Sequence, residues 1–180
     1  MKHRLALNLF LWVCCATIPV VSQQSPFIED YVERLESSRN YLIHVAETMP
    51  EEEFDYRPTP KASSFAENLM HIGWAMDWHS QSLLGGRNAR DWETDTIYKV
   101  ANKSKKDMIA TVQQTFDVAI ELIKNFSTSH LDDTLDYFGL KRTKRQIFML
   151  LADHITHHRS QMLVYLRLKG YQPPRYVLFQ

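Results

Sequence analysis

Four stretches of this sequence carry apolar residues at helical spacing, and each is bracketed by its own start and stop signals. Ser25 before Pro26 reads as an N-cap with proline at the first helical position. Phe27, Tyr31, Leu35, Leu42 and Val45 then recur on one face to about Thr48. The three prolines of Met49–Pro60 make that stretch a loop. Ser64 and Glu67 form a capping box, in which each side chain satisfies an orphan backbone N–H of the other. The helix that follows runs to about Leu84, where Gly85-Gly86 stops it. A third begins at Ser104, with Asp107 three residues on and a stripe of Met108, Val112, Phe116, Ala119 and Ile123. Thr143 and Gln146 make another capping box, and the fourth helix continues to Lys169, with Gly170 and Pro173-Pro174 as stop signals.

Four amphipathic helices without a repeat predict an all-α fold, a four-helix bundle. The connections spanning 87–103 and 125–142 are long. Short loops force antiparallel neighbours, whereas long ones permit a crossover. Thr134–Phe138 is the one candidate extended piece, and no period-2 run is long enough to announce a sheet. The composition, 44% hydrophobic and 23% charged, excludes a disordered chain. Lys and Arg (21) balance Asp and Glu (21), so there is no electrostatic footprint for nucleic acid.

Residues 1–22 read as a secretory signal peptide. Lys2, His3 and Arg4 are a basic start, Leu5 to Val21 is nearly unbroken apolar sequence, and Val20 and Ser22 are small enough for a cleavage site. The expectation is an exported protein, periplasmic or secreted, with a mature start near Gln23 and no membrane association after cleavage. Residues 23–180 then form a single domain. Cys14 and Cys15 both lie in the leader, so the mature chain has no thiol of its own.

Eight histidines are more than core packing needs. His154 and His158 stand four apart on the last helix, in line with Gln161 and with the apolar stripe Ile147, Leu150, Leu151, Met162, Tyr165 and Leu168. Residues i and i+4 lie one above the other, so two imidazoles can point at one ion. A catalytic site of the zinc type needs a third protein ligand and an open position. The second helix offers His71 and, further along, His79; periodicity does not separate them. His157 faces away from the His154/His158 line, as a surface residue or a neighbour of the site. Glu67 is the capping residue and a candidate to orient His71, since a bound His usually donates its other N–H to a carboxylate or carbonyl. Trp74, Trp78 and Trp92 are candidates for pocket walls, or for ordinary core and rim.

These residues carry a resemblance. Tyr56-Arg57-Pro58 with Ser64, Glu67 and His71-Ile72, followed by His154-x-x-His157-His158-Arg159-Ser160-Gln161, Leu166-Arg167, Gly170 and Pro173-Pro174, resemble the two signatures of the DinB/YfiT family of helical metalloproteins. The likeness spans about residues 26–176. It implies an up-down-down-up bundle and a divalent metal, Zn, Ni or Fe, held by His71, His154 and His158. It thereby selects His71 over His79, and it implies homodimers as one mode of assembly. Ser160 stands where the family usually has Gly, which bears on close approach of a neighbouring helix or substrate.

Three neutral imidazoles leave a cation its full charge and room for water or a small-molecule substrate. The expected activity is metal-dependent hydrolysis. The alternatives are a metal-dependent thiol S-transferase or isomerase, which the resemblance also includes, and a non-catalytic, metal-stabilised binding or structural module. Export favours hydrolysis, because low-molecular-weight thiols are kept reduced mainly in the cytosol. A fourth protein ligand, Glu67 or His79, marks the structural role. No single residue stands out as catalytic; Glu67, Gln161, His157, Trp74 and Trp78 are the candidates for neighbours of the ligands or pocket walls. Because protons compete with metal for imidazole, occupancy is expected to fall as pH drops through roughly 6.

Overall fold

The computed structural model describes residues 25–176. The expected signal peptide, with both cysteines, lies outside the described residues. Within them the helices are α1 (Pro26–Thr48), α2 (Phe65–Asp77), α3 (Lys105–Lys124) and α4 (Lys144–Leu168). Their starts are the ones the sequence announces. Ser64 accepts from the Glu67 N–H while Glu67 accepts from the Ser64 N–H, and Ser104/Asp107 and Thr143/Gln146 do the same. Ser25 starts α1 by virtue of Pro26 alone, without a side-chain capping bond.

Polar contacts fix the directions of the helices. Tyr31 Oη donates to the Phe148 carbonyl at 2.7 Å, and Arg159 donates to Ser38 Oγ at 2.7 Å, so α1 and α4 run parallel. Lys124 pairs with Glu36 at 3.2 Å while Lys105, at the other end of α3, donates to the Met49 carbonyl at 2.6 Å, so α3 runs against α1. Tyr165 Oη donates to the Ser63 carbonyl at 3.0 Å and Lys144 reaches the Leu84 carbonyl at 3.4 Å, so α2 runs against α4. The result is an up-down-down-up bundle with α1 and α2 on opposite corners. Its interior is closed by Leu35, Leu42, Leu69, Ile72, Met76, Val112, Phe116, Ile147, Leu151 and Met162, all buried. Leu168, which continues the α4 stripe in sequence, is exposed near the helix end. No helix among the described residues is long and apolar enough to cross a membrane.

Two local features depart from simple helices and loops. From Trp78 to Leu84 the second helix widens into a π-helix. There the side chains of His79 and Ser80 bond back to the carbonyls of Ala75 and Met76, both at 2.7 Å, competing with the backbone N–H groups for the same acceptors. The connection before α4 holds a hairpin, β1 (Thr134–Tyr137) and β2 (Leu140–Thr143), paired antiparallel. The extended piece expected at Thr134–Phe138 is therefore β1, one residue shorter; β2 was not expected. Phe138 (φ 53°) and Gly139 (φ 78°) make a two-residue turn with both residues in the left-handed region, the hand that matches strand twist. β2 reads Leu-Lys-Arg-Thr, too polar to show a period-2 pattern. Its place is set by the turn and by β1, where Tyr137 packs against Trp78 and His79.

Candidate metal centre

His154 and His158 project from adjacent turns of α4 towards His71 on the antiparallel α2. The ring centroids lie 5.0 Å (His71–His154), 4.5 Å (His71–His158) and 4.7 Å (His154–His158) apart. One nitrogen from each ring falls within 4.8 Å of the others, so the group could hold a metal ion. Among the described residues this is the one cluster of three His, Cys, Asp or Glu side chains with that geometry.

The state of these rings suits ligation. His154 Nε2 is buried and has no hydrogen-bond partner. A buried imidazole nitrogen without a partner is costly unless something else satisfies it. Burial pushes the His154 imidazolium down to about 3, helped by His158, His71 and His79 nearby. Burial and the neighbouring His71 and His157 take His158 down to about 4. His71 is lowered in the same way, by burial and then by His157. All three are held neutral at physiological pH, the form that binds a cation.

One tautomer is fixed by structure. Asn68, fully buried, donates its amide N–H groups to the carbonyls of Ser64 (2.9 Å) and Ser63 (3.3 Å). Its oxygen is thereby turned towards His158 Nδ1, 2.8 Å away. An amide oxygen only accepts, so Nδ1 carries the proton and Nε2 keeps its lone pair. Asn68 follows the Ser64 cap by one helical turn; the same helix start that presents His71 orients His158. Sequence reading passed over Asn68. Its signal was present as an amide three residues before His71 at the head of α2, but nothing in a single helix shows which partner lies across the bundle.

His79, the competitor of His71, is spent: Nδ1 pairs with the Ala75 carbonyl at 2.7 Å and Nε2 with Tyr137 Oη at 3.3 Å. Glu67 does not orient His71. Its Oε2 accepts from the Ser64 N–H at 2.7 Å and its Oε1 from Arg57 at 3.1 Å. His157 is exposed; its Nε2 is 2.9 Å from Gln161 Nε2, and its ring meets His158 edge-on at 4.9 Å. Gln161 thus bonds to His157 rather than entering the cluster. Trp74 stacks on His71 (5.5 Å, 19°) and Trp78 on Trp74 (5.7 Å, 13°), a brace along one edge of α2. Ser160 is exposed and bonds back to the Thr156 carbonyl at 2.7 Å, so its hydroxyl stands clear of the helix packing.

A cleft of about 260 Å³ opens beside His71. One wall is the head of α2, with Ser63 and Glu67. The other comes from the α2–α3 connection, with Trp92, Tyr98, Lys99 and Val100. Trp74 and Trp78 are not among its lining residues. Tyr98 and Lys99 were missed in sequence because that connection is polar and without period. Tyr98 is nonetheless buried, its hydroxyl 2.9 Å from Thr115 Oγ1 and its ring against the face of Gly73, where a Cβ would stand 3.1 Å away.

Comparison with known proteins bears on the family and the fold. Residues 34–162 match the sequence model of the DinB superfamily. YjoA of Bacillus subtilis (strain 168) is 22% identical over 138 residues, 75% of this chain and 86% of that protein. The crystal structure of the DinB-like protein YjoA from Bacillus subtilis superposes with a TM-score of 0.66 at 25% identity, covering 83% of this chain and 99% of that one. A DinB-like protein from Bacillus cereus ATCC 10987 gives 0.64 at 21% identity, covering 84% and 95%.

Proposed function

The chain belongs to the DinB superfamily, and from that premise we propose that it is a metal-dependent enzyme, a hydrolase of small molecules, with a divalent cation held by His71, His154 and His158. The observation that carries this reading is the convergence of three neutral imidazoles, one with a buried nitrogen that lacks any partner. The all-nitrogen donor set suits Zn, Ni or Fe over Mg or Ca. When bound, such an ion supplies Lewis acidity and a source of hydroxide near neutral pH.

The chain's own residues do the rest. Asn68 holds the His158 tautomer, Trp74 braces the His71 ring, and the cleft beside His71 offers a substrate one side of the centre. An open coordination position distinguishes a catalytic site from a structural one. Glu67 and His79 are the residues that would have closed it, and both are committed elsewhere. This supports the catalytic reading over a purely structural metal.

The test is a panel on zinc-, nickel- and iron-loaded protein, with ester and amide hydrolysis in one arm and S-transfer from low-molecular-weight thiols in the other. Metal-dependent hydrolysis that is lost in His71→Ala bears the proposal out. Turnover only in the thiol arm replaces hydrolysis with S-transfer. Metal binding without turnover in either arm contradicts an enzyme of these classes.

A further inference from the structure

The cleft beside His71 has an uneven charge. Glu67 contributes a carboxylate, but it is ion-paired with Arg57 and accepts from the Ser64 N–H. Tyr98 contributes its ring, since its hydroxyl is bonded to Thr115. Lys99 differs from both. Its Nζ lies 3.8 Å from the centroid of the Trp92 ring, and it makes no ion pair among the described residues. Asp91 feels its charge only as the least of five influences on that carboxyl. The cleft thus presents one ammonium without a carboxylate partner, held on an indole face, within the same lining as a histidine of the metal centre.

A cation over an aromatic face is pre-positioned without being neutralised, because the ring offers a quadrupole and not a charge. The same lining holds Trp92, the Tyr98 ring and Val100 as apolar or planar walls, with Ser63 and Glu67 at the head of α2. At about 260 Å³ the space lies below the ~300–1,000 Å³ typical of drug-sized sites. We infer that this cleft selects small organic anions, pairing the substrate's anionic group with Lys99 while its reacting group faces His71, His154 and His158. The inference rests on the proposed metal centre for the reaction, but not for capture of the anion.

The test is calorimetric titration of glutarate, a small dianion, and of neutral glutaramide into zinc-loaded and metal-free protein. The parent is expected to bind glutarate saturably and glutaramide more weakly. Lys99→Met, which keeps most of the unbranched side chain and removes the charge, should weaken glutarate by about tenfold or more, the loss expected for a charge-assisted hydrogen bond. It should leave glutaramide unchanged, and Lys99→Arg should keep most of the glutarate affinity. Glutarate binding equally well to parent and Lys99→Met, or glutaramide binding as well as glutarate, overturns the inference. If zinc fails to bind, the metal-dependent reading fails by itself. Lys99-dependent glutarate binding by the metal-free protein still supports the anion cleft in that case, and its absence there overturns it.

Discussion

His158 donates from Nδ1 to the side-chain oxygen of Asn68 at 2.8 Å, across the α2–α4 interface, and Asn68 cannot turn away because both Ser63 and Ser64 carbonyls hold its amide nitrogen. A helix cap on α2 thereby sets which nitrogen a histidine of α4 offers to the centre.

Replacing Asn68 by Leu should weaken metal binding by about 10–100-fold, the usual effect of removing a residue that orients a ligand. It should also cost about 1–3 kcal/mol of stability, since the half-buried His158 Nδ1–H loses its acceptor. Asn68→Asp keeps an acceptor for His158 Nδ1 and should retain tighter metal binding than Asn68→Leu. Competition against a chromophoric chelator measures both. Equal affinity in parent and Asn68→Leu would show that the tautomer needs no such support.

The histidines also predict how stability follows pH. His154 and His158 titrate at about 3 and about 4 in the folded chain, and near 6.5 when unfolded. Between those values the unfolded state binds more protons, so stability of the metal-free protein rises with pH there. The contribution is complete above about 6.5 and is lost as pH falls towards the folded values. The Tm of metal-free protein should drop between pH 7 and pH 4, and His154→Leu should flatten that slope. The same shift lowers the window for metal loss. Ligands kept neutral by burial compete poorly for protons, so occupancy should persist below pH 6, the expectation from free imidazole, and fall as pH nears 4. An unchanged slope in His154→Leu, or metal loss complete by pH 6, contradicts this.

The helices and their starts were legible in the sequence because caps and stripes are local. Ser64/Glu67 and Thr143/Gln146 need only their own turn of helix to act, and both boxes form. The i,i+4 spacing of His154 and His158 was equally plain. What crosses between elements was not. His71 and His79 are alike on a helical wheel; the family likeness separated them, and the fold gives the reason, since His79 lies where the helix widens and is taken up by Ala75 and Tyr137. Tyr137 reaches His79 only because a hairpin turned by Phe138-Gly139 places it there, and β2 carries no apolar alternation by which to find that hairpin. For Glu67 two roles were open in the sequence, and the local one holds: its carboxylate serves the cap and Arg57.

Export is a separate prediction from residues 1–22. Mass spectrometry of the protein from its native cell should find an N-terminus near Gln23. A product retaining Met1 and the following apolar run would contradict cleavage.

The central claim is that His71, His154 and His158 act together as a single metal-binding unit. Elemental analysis after exhaustive dialysis at neutral pH tests it most directly, on parent protein and on His71→Ala, His154→Ala, His158→Ala and His157→Ala, with circular dichroism to confirm that each stays helical. The parent chain should hold one divalent ion, as should His157→Ala, and each of the other three should lose it almost completely. Pairing two of those three changes should add little further loss, because each already breaks the shared site. A parent that stays metal-free with zinc, nickel and iron supplied, or a site emptied by His157→Ala and kept by His154→Ala, would contradict it.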